Sequence, residues 1–299
     1  MTESASSSSS APDVHSFLDS ELSAAERGDT ARFQVIPCGL EKTVSYGSGA
    51  HAGPAAILAA SDQLERLWDG VDAAEQGIHT QSAVDCERPI EHVLAELADR
   101  AEAVTRAGGI PVTLGGEHGL SYGPVLGVRR AVPDIGIVQI DAHADMRDAY
   151  QGLRHSHASV MHLLAVEAGI PLAQFGVRAL CAEERDLRRE HAVFHVDARA
   201  LARDPHQPIV LPEDFPPNVY VSFDVDGLDP SIMPATGTPV PGGLGFYQSL
   251  DIVEAALVGR RCVGIDLVEF APIAGAHAWD FTAAQIVYAL MCLTLNNSH

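Results

Sequence analysis

Apolar positions along the chain fall into two alternating textures. Short continuous apolar runs at residues 33–38, 110–114, 135–140, 173–177, 192–196, 219–223 and 261–267 read as buried strands. Between them, stretches near 121–131, 158–168, 182–190, 246–258 and 281–294 read as helices. Pro54 opens a further helix at its first-turn position, predicted to run to about Trp68. Pro89 opens another, with Val93, Leu94, Leu97 and Ala101 on one face and Gly108-Gly109 as its stop. A short helix is expected over Ser16 to Arg27, a loop at Tyr46–Gly49, and a Pro-rich linker over 205–217. This alternation predicts an α/β fold whose central, mostly parallel β-sheet is flanked by helices on both faces. No internal repeat or composition shift marks a second domain. The expected organisation is a disordered Ser-rich tail over residues 1–15 and one domain over 16–299.

Composition narrows the classes of function. The 299 residues are 46% hydrophobic, enough for a large single core. No apolar run is expected to approach the roughly 18 residues that span a bilayer. The first residues carry neither the basic nor the apolar region of a secretory leader. The formal net charge is −21 and Lys42 is the sole lysine, so no basic patch is available for nucleic acid or acidic lipid. An acidic field suits a small cationic partner, although net charge alone reports only solubility. The five cysteines, Cys38, Cys86, Cys181, Cys262 and Cys292, are odd in number and form no CxxC pair, which points to a reducing, cytoplasmic setting. Cys38 and Cys262 lie in apolar runs and are expected in the core.

The chemistry is concentrated at strand ends. The 135–140 run leads into Asp141-Ala142-His143-Ala144-Asp145, and in extended backbone the i, i+2, i+4 spacing puts Asp141, His143 and Asp145 on one face. The 219–223 run leads into Asp224 and Asp226, and the 110–114 run into Gly115-Gly116-Glu117-His118. A lone Asp at a strand end is a turn residue or a helix cap. Four aspartates and two histidines delivered by three strand ends are something else. Clustered carboxylates repel unless some protonate or cations neutralise them. Two divalent cations balance four aspartates, and the mixed oxygen and nitrogen set without thiolate favours a hard or intermediate metal such as manganese. Ligands of parallel sheets bind beyond the carboxyl ends of the strands, where all six residues lie. Glu269, after the 261–267 run, is placed to pair with a guanidinium there, or else to cap the following loop. His155 and His157 follow the cluster; either can shuttle protons, and chemistry alone leaves the choice open. The Gly- and Pro-rich stretch 229–244 reads as an ordered, pocket-shaping loop.

These segments together resemble the ureohydrolase family of arginases and agmatinases. The matching pieces are GGEH at 115–118, DAHAD at 141–145, SFDVDGLDP at 222–230, ATGTPVPGG at 235–243, DLVE at 266–269 and YGSGAHAGP at 46–54. The resemblance covers about residues 33–294. It implies a three-layer arginase-like fold, two Mn2+ per subunit, release of urea from a guanidino substrate, and a homo-oligomer, trimer or hexamer. Carried over residue by residue, His118, Asp141, Asp145 and Asp224 hold one ion; Asp141, His143, Asp224 and Asp226 hold the other. Glu269 matches the guanidinium-binding glutamate, His157 the proton-shuttling histidine, and Asp145 doubles as a proton acceptor. Arginases carry an Asn two residues after DxHxD and an Asp soon after the Arg that ends the following strand. Here Arg147 stands at the first position, and Arg178 is followed by Ala179-Leu180-Cys181-Ala182. The readers of an α-amino acid are therefore missing, and DAHADMRD looks agmatinase-like, which implies agmatine to putrescine, a step of polyamine synthesis. Glu183 or Glu184 is a candidate for the distal ammonium. Arg147 favours instead a guanidino acid such as guanidinobutyrate. A single-zinc deacetylase-like relative is disfavoured by Asp145 with the Asp224/Asp226 pair, and a catalytically silent regulatory paralogue by the retention of every ligand.

Overall fold

A computed structural model describes residues 15–296. The expected Ser-rich tail therefore lies outside the described residues, apart from His15. Among the described residues eight strands form one sheet: β1 (Phe33–Cys38), β2 (Ile78–Thr80), β3 (Ile110–Gly115), β4 (Ile135–Ile140), β5 (Leu172–Phe175), β6 (Phe194–Val196), β7 (Asn218–Asp224) and β8 (Arg261–Val268). Their order is β2-β1-β3-β8-β7-β4-β5-β6, and every pairing is parallel. The mainly apolar runs follow from this: a parallel sheet is covered on both faces, so both sides of a strand are mostly apolar and a polar residue there needs a buried partner. In β4, Ile135 and Ile137 join one core cluster and Val138 and Ile140 the other.

Seven α-helices among the described residues cover the sheet: α1 (Gly53–Ser61), α2 (Ile90–Arg106), α3 (Tyr122–Ala131), α4 (Ala182–Glu190), α5 (Ala198–Arg203), α6 (Phe246–Leu257) and α7 (His277–Asn296). Helices α2 and α3 pack together against β3 and β8, while α7 packs with both α1 and α6, and all three contribute to the main core cluster.

Several expectations need correction. Residues 16–27 form turns, not a helix; Leu18 takes a left-handed φ of 55°, and Phe17, Leu18 and Leu22 enter the core from irregular backbone. Helix α1 stops at Ser61 rather than near Trp68. Ser61 Oγ accepts the Leu18 N–H at 3.0 Å and Asp62 accepts the Ser20 N–H at 2.7 Å, so polar side chains at the helix end serve the neighbouring turns. The short elements β2 and α5 differ from the expectation: β2, Ile78-His79-Thr80, holds a single apolar residue, and six residues of α5 are too few for a helical period to emerge. The helix expected at 158–168 is irregular, with a π-helical stretch at His162–Glu167. Helix α7 begins at His277 and, by length and composition, is apolar enough to cross a membrane, against the expectation that no such run exists. Most of that apolar window is buried against the protein's own core.

Candidate metal centre

Four neighbouring strands, in the spatial order β3-β8-β7-β4, end at one rim of the sheet. His118 follows β3, Glu269 follows β8, Asp224 ends β7 with Asp226 just beyond, and Asp141 follows β4. The turn after β3 needs Gly116, because a Cβ there would stand 2.1 Å from the Leu40 carbonyl oxygen.

Six side chains converge. His118 Nδ1 lies 3.0 Å from Asp141 Oδ2, 3.0 Å from Asp145 Oδ2 and 3.3 Å from Asp224 Oδ2. His143 Nδ1 lies 3.0 Å from Asp226 Oδ2 and 3.6 Å from Asp141 Oδ1. His118, Asp141, Asp145, Asp224 and Asp226 are buried. Despite these distances, His118 Nδ1 has no hydrogen-bond partner of good geometry. Neighbouring ligand atoms around a six-coordinate ion with bonds of about 2.1 Å stand about 3 Å apart, which is the spacing here. The donor set therefore fits divalent cations. His118, Asp141 and Asp145 form one group with ion-holding spacing, and Asp141, His143 and Asp226 form a second that shares Asp141. A third group, Asp148, His162 and Glu167, lies at the surface beside Arg154, which supplies its counter-charge.

The backbone explains the D-x-H and D-x-D spacings. Asp141 Oδ1 accepts the His143 N–H at 2.6 Å, and Asp224 Oδ1 accepts the Asp226 N–H at 2.8 Å. Each aspartate turns the chain with one oxygen and presents the other to the cluster. The expected extended run through Asp145 is not what forms. The strand ends at Ile140, and Asp145 takes a left-handed φ of 52°. Its carbonyl accepts the Met161 N–H at 2.9 Å, which ties the turn to the following helical segment. Glu269 is also left-handed, at φ 62°. Such backbone costs about 1–3 kcal/mol per residue and gathers at functional sites.

A surrounding layer holds the cluster, and motif reading missed most of it. His118 Nε2 lies 2.9 Å from Ser222 Oγ, which donates to Asp266 Oδ1 at 2.8 Å. With the Ser222 proton on Asp266, His118 carries its own proton on Nε2 and keeps Nδ1 free for a cation. Gln174 Nε2 donates to Gln139 Oε1, and Gln139 Nε2 donates to Asp141 Oδ2, both at 2.6 Å. Gln139 and Gln174 are polar residues in buried strands, and that was the available signal.

Charge balance shapes the titration. Burial opposes charge on His118, yet Asp141, Asp145 and Asp224 hold it well above the ordinary imidazole range. Burial, then the Asp141 charge, pushes Asp145 up to about 7. Burial and the Asp226 and Asp141 charges raise Asp224 as well. The raised carboxyls of Asp145 and Asp224 mark a site short of positive charge, which a cation would supply.

The cluster borders a cavity of about 450 Å³ lined in part by His143, Asp145, Arg147, Tyr150, His157 and Thr238. His157 faces this cavity; His155 packs its ring on Tyr122 and lines a different surface hollow. Thr43 Oγ1 accepts the His157 N–H at 3.1 Å and lies 3.2 Å from its Nδ1. Burial lowers His157 to about 4. Glu269 sits beside the ligand turn, where its Oε1 accepts the His118 N–H at 2.6 Å. Burial raises its carboxyl to about 8.

The polar groups proposed to read a substrate's tail sort differently. Glu184 lines the cavity, but its oxygens accept the Met146 N–H at 3.1 Å and the Cys181 N–H at 2.8 Å, and Glu183 is exposed outside the lining. The carboxyl of Glu184 is thus a brace between the aspartate run and α4. Arg178 bonds the carbonyls of Gly176, Asp226, Gly227, Leu228 and Val240. It folds the Asp226 loop and is unavailable to a substrate.

The Arginase family model matches residues 31–293. The chain belongs to the arginase family. It is 35% identical over 285 residues to N(1)-aminopropylagmatine ureohydrolase of Synechocystis sp., covering 92% of each chain. It is 38% identical over 267 residues to an enzyme of the same name from Thermus thermophilus, covering 87% of this chain and 89% of the relative. The crystal structure of agmatine ureohydrolase of Thermoplasma volcanium superposes with a TM-score of 0.80 at 27% identity, covering 91% and 92% of the two chains. This arginase-family chain is a hydrolase of the ureohydrolase type, related to agmatinases, with the family's α/β fold.

Proposed function

We propose that this ureohydrolase releases urea from a guanidino substrate at a pair of manganese ions, with agmatine, giving putrescine, or an N-aminopropyl derivative of it as the substrate. The observation that carries the reading is the convergence of His118, Asp141, Asp145 and Asp224 beside His143 and Asp226 at the edge of the 450 Å³ cavity. In this reading His118, Asp141, Asp145 and Asp224 hold one ion, and Asp141, His143, Asp224 and Asp226 hold the other. Bound there, the ions supply a water of lowered pKa for attack on the guanidinium carbon.

The chain's own residues do the rest. One oxygen of Glu269 is occupied by the His118 backbone, which leaves the other to pair with the planar cation and hold it beside the cluster. Asp145 receives a proton as the carbon becomes tetrahedral. His157 is neutral because it is buried, and its ring nitrogen opposite Thr43 is free to take up a proton from solvent and relay it to the leaving amine. Missing α-amino-acid readers and a cavity whose wall includes Tyr150, Leu180 and Cys181 support a substrate with a long, simple tail.

One observation supports a second reading of the tail. Arg147 lines the cavity, stacks 5.4 Å above the Tyr150 ring and forms no ion pair among the described residues. A free guanidinium there suits a carboxylate, as in guanidinobutyrate. A urea assay with manganese over agmatine, N1-aminopropylagmatine, arginine and guanidinobutyrate separates these readings. Turnover of the agmatine pair upholds the first, and preference for guanidinobutyrate replaces it with the second. No urea from any of them, with two ions bound per chain, overturns both.

A further inference from the structure

Cys38 and Cys86, far apart in sequence, face each other with their sulfurs 3.6 Å apart. Both are free thiols. Cys38 is the buried last residue of β1, and Cys86 is half-buried in the turn before α2. The Val84 N–H donates to the Pro37 carbonyl at 2.9 Å, so backbone already pins the turn beside the strand end. The remaining cysteines are scattered: Cys262 and Cys292 are buried, and Cys181 stands at the start of α4.

We propose that Cys38 and Cys86 form a site of reversible modification, in which a hydroperoxide joins them into an intrachain disulfide. A disulfide needs sulfurs about 2.05 Å apart, so they must approach by about 1.6 Å, within reach of side-chain rotation and a small shift of the 85–88 turn.

Cys86 is the attacking group. Its sulfur contact with Cys38, with the positive charges of Lys42 and Arg88 nearby, lowers its thiol despite partial burial and the Asp85 charge. Burial raises Cys262 and Cys292 to about 12, and burial also raises Cys181. Thiolate fraction and access both select Cys86. Its thiolate attacks one peroxide oxygen; an S–O bond forms, the O–O bond breaks, and the departing oxygen leaves as water after taking up protons. The Cys38 sulfur then attacks the Cys86 sulfenic acid. The S–S bond forms, the S–O bond breaks, and the hydroxyl leaves as a second water with the Cys38 proton. Two thiols and one hydrogen peroxide become one disulfide and two waters, and a dithiol reverses the change.

The bridge would anchor the 81–89 segment to the strand end that supports the metal-binding turn. The Cys38 carbonyl accepts the Gly116 N–H at 2.9 Å and the Leu40 carbonyl accepts the Glu117 N–H at 2.8 Å, next to His118.

The test is peptide mapping of the full chain after hydrogen peroxide treatment, with alkylation under denaturing conditions and no reductant. The expected result is a Cys38–Cys86 linked peptide, a chain lighter by two hydrogens, alkylation lost at these two positions only, and recovery with dithiothreitol. Cys181→Ser keeps the link. Cys86→Ser, at a half-exposed turn, leaves Cys38 alkylated after the same treatment. A Cys86 that ends as sulfinate or in a mixed disulfide while Cys38 still alkylates overturns the proposal. So does a link between two chains in place of the intrachain one.

Discussion

Thr43 Oγ1 stands 3.2 Å from Nδ1 of His157 and donates its own proton to Glu117 Oε2 at 3.0 Å. With that proton occupied, the Thr43 oxygen can only accept from the His157 ring, which puts the imidazole proton on Nδ1 and the free lone pair on Nε2. Thr43→Val should lower turnover by about tenfold or more with metal content unchanged, and His157→Ala by about a hundredfold or more. Steady-state kinetics with metal analysis on the same samples checks both. Equal turnover in wild type and Thr43→Val would remove Thr43 from the tautomer argument.

Metal retention should grade with distance from the cluster. Asp141→Ala and Asp224→Ala remove residues proposed to bridge both ions, so activity and metal content should fall together. Ser222→Ala frees the Nε2 side of His118 and should weaken metal affinity by about ten- to a hundredfold while the chain stays folded. Titration of the apoprotein with manganese, followed by calorimetry, reads all three. Full manganese occupancy in Asp141→Ala would contradict its bridging role.

Glu269→Gln keeps a hydrogen-bond acceptor for the His118 N–H but loses the carboxyl that a bound guanidinium would hold ionised. Turnover should drop and KM should rise, with two ions still bound. If the ions are lost instead, Glu269 belongs among the ligands.

Arg147 decides the tail. If the substrate is agmatine-like, Arg147→Ala should leave KM for agmatine unchanged or lower it, because a cation leaves the cavity wall. If the substrate is a guanidino acid, KM for guanidinobutyrate should rise by about tenfold or more, the loss of one charge-assisted pair. Paired KM measurements on the two substrates give the answer.

Acid stability should depend on Glu26. Hydrogen bonds from Arg66 and Ser23 hold its carboxyl down at about 2. A lowered folded-state pKa adds stability above the ordinary glutamate range, and the gain disappears as pH falls from about 4.5 towards 2. The Tm of wild type should exceed that of Glu26→Gln at neutral pH, and the two should converge across that window. A gap that persists at pH 2 would point to packing rather than charge.

The order of strands and helices, and the residues that carry the chemistry, were legible along the chain. Buried parallel strands are mostly apolar on both faces, so β1, β3, β4, β7 and β8 appear as apolar runs with single polar interruptions, and the charged residues that end them stand out. The D-x-H and D-x-D spacings are local because each records an aspartate hydrogen-bonded two residues ahead. Folding in three dimensions decided the rest. Strands β3, β8, β7 and β4 are neighbours in space but not in sequence, and that order brings His118 within 3.0 Å of Asp145. The left-handed turn at Asp145, the Ser222–Asp266 support under His118, the commitment of Glu184 and Arg178 to backbone, and the meeting of Cys38 with Cys86 all depend on partners distant in the chain. A residue's own type and its near neighbours set what it can do; which partner takes up its hydrogen bonds and charge is settled only when the strands pack.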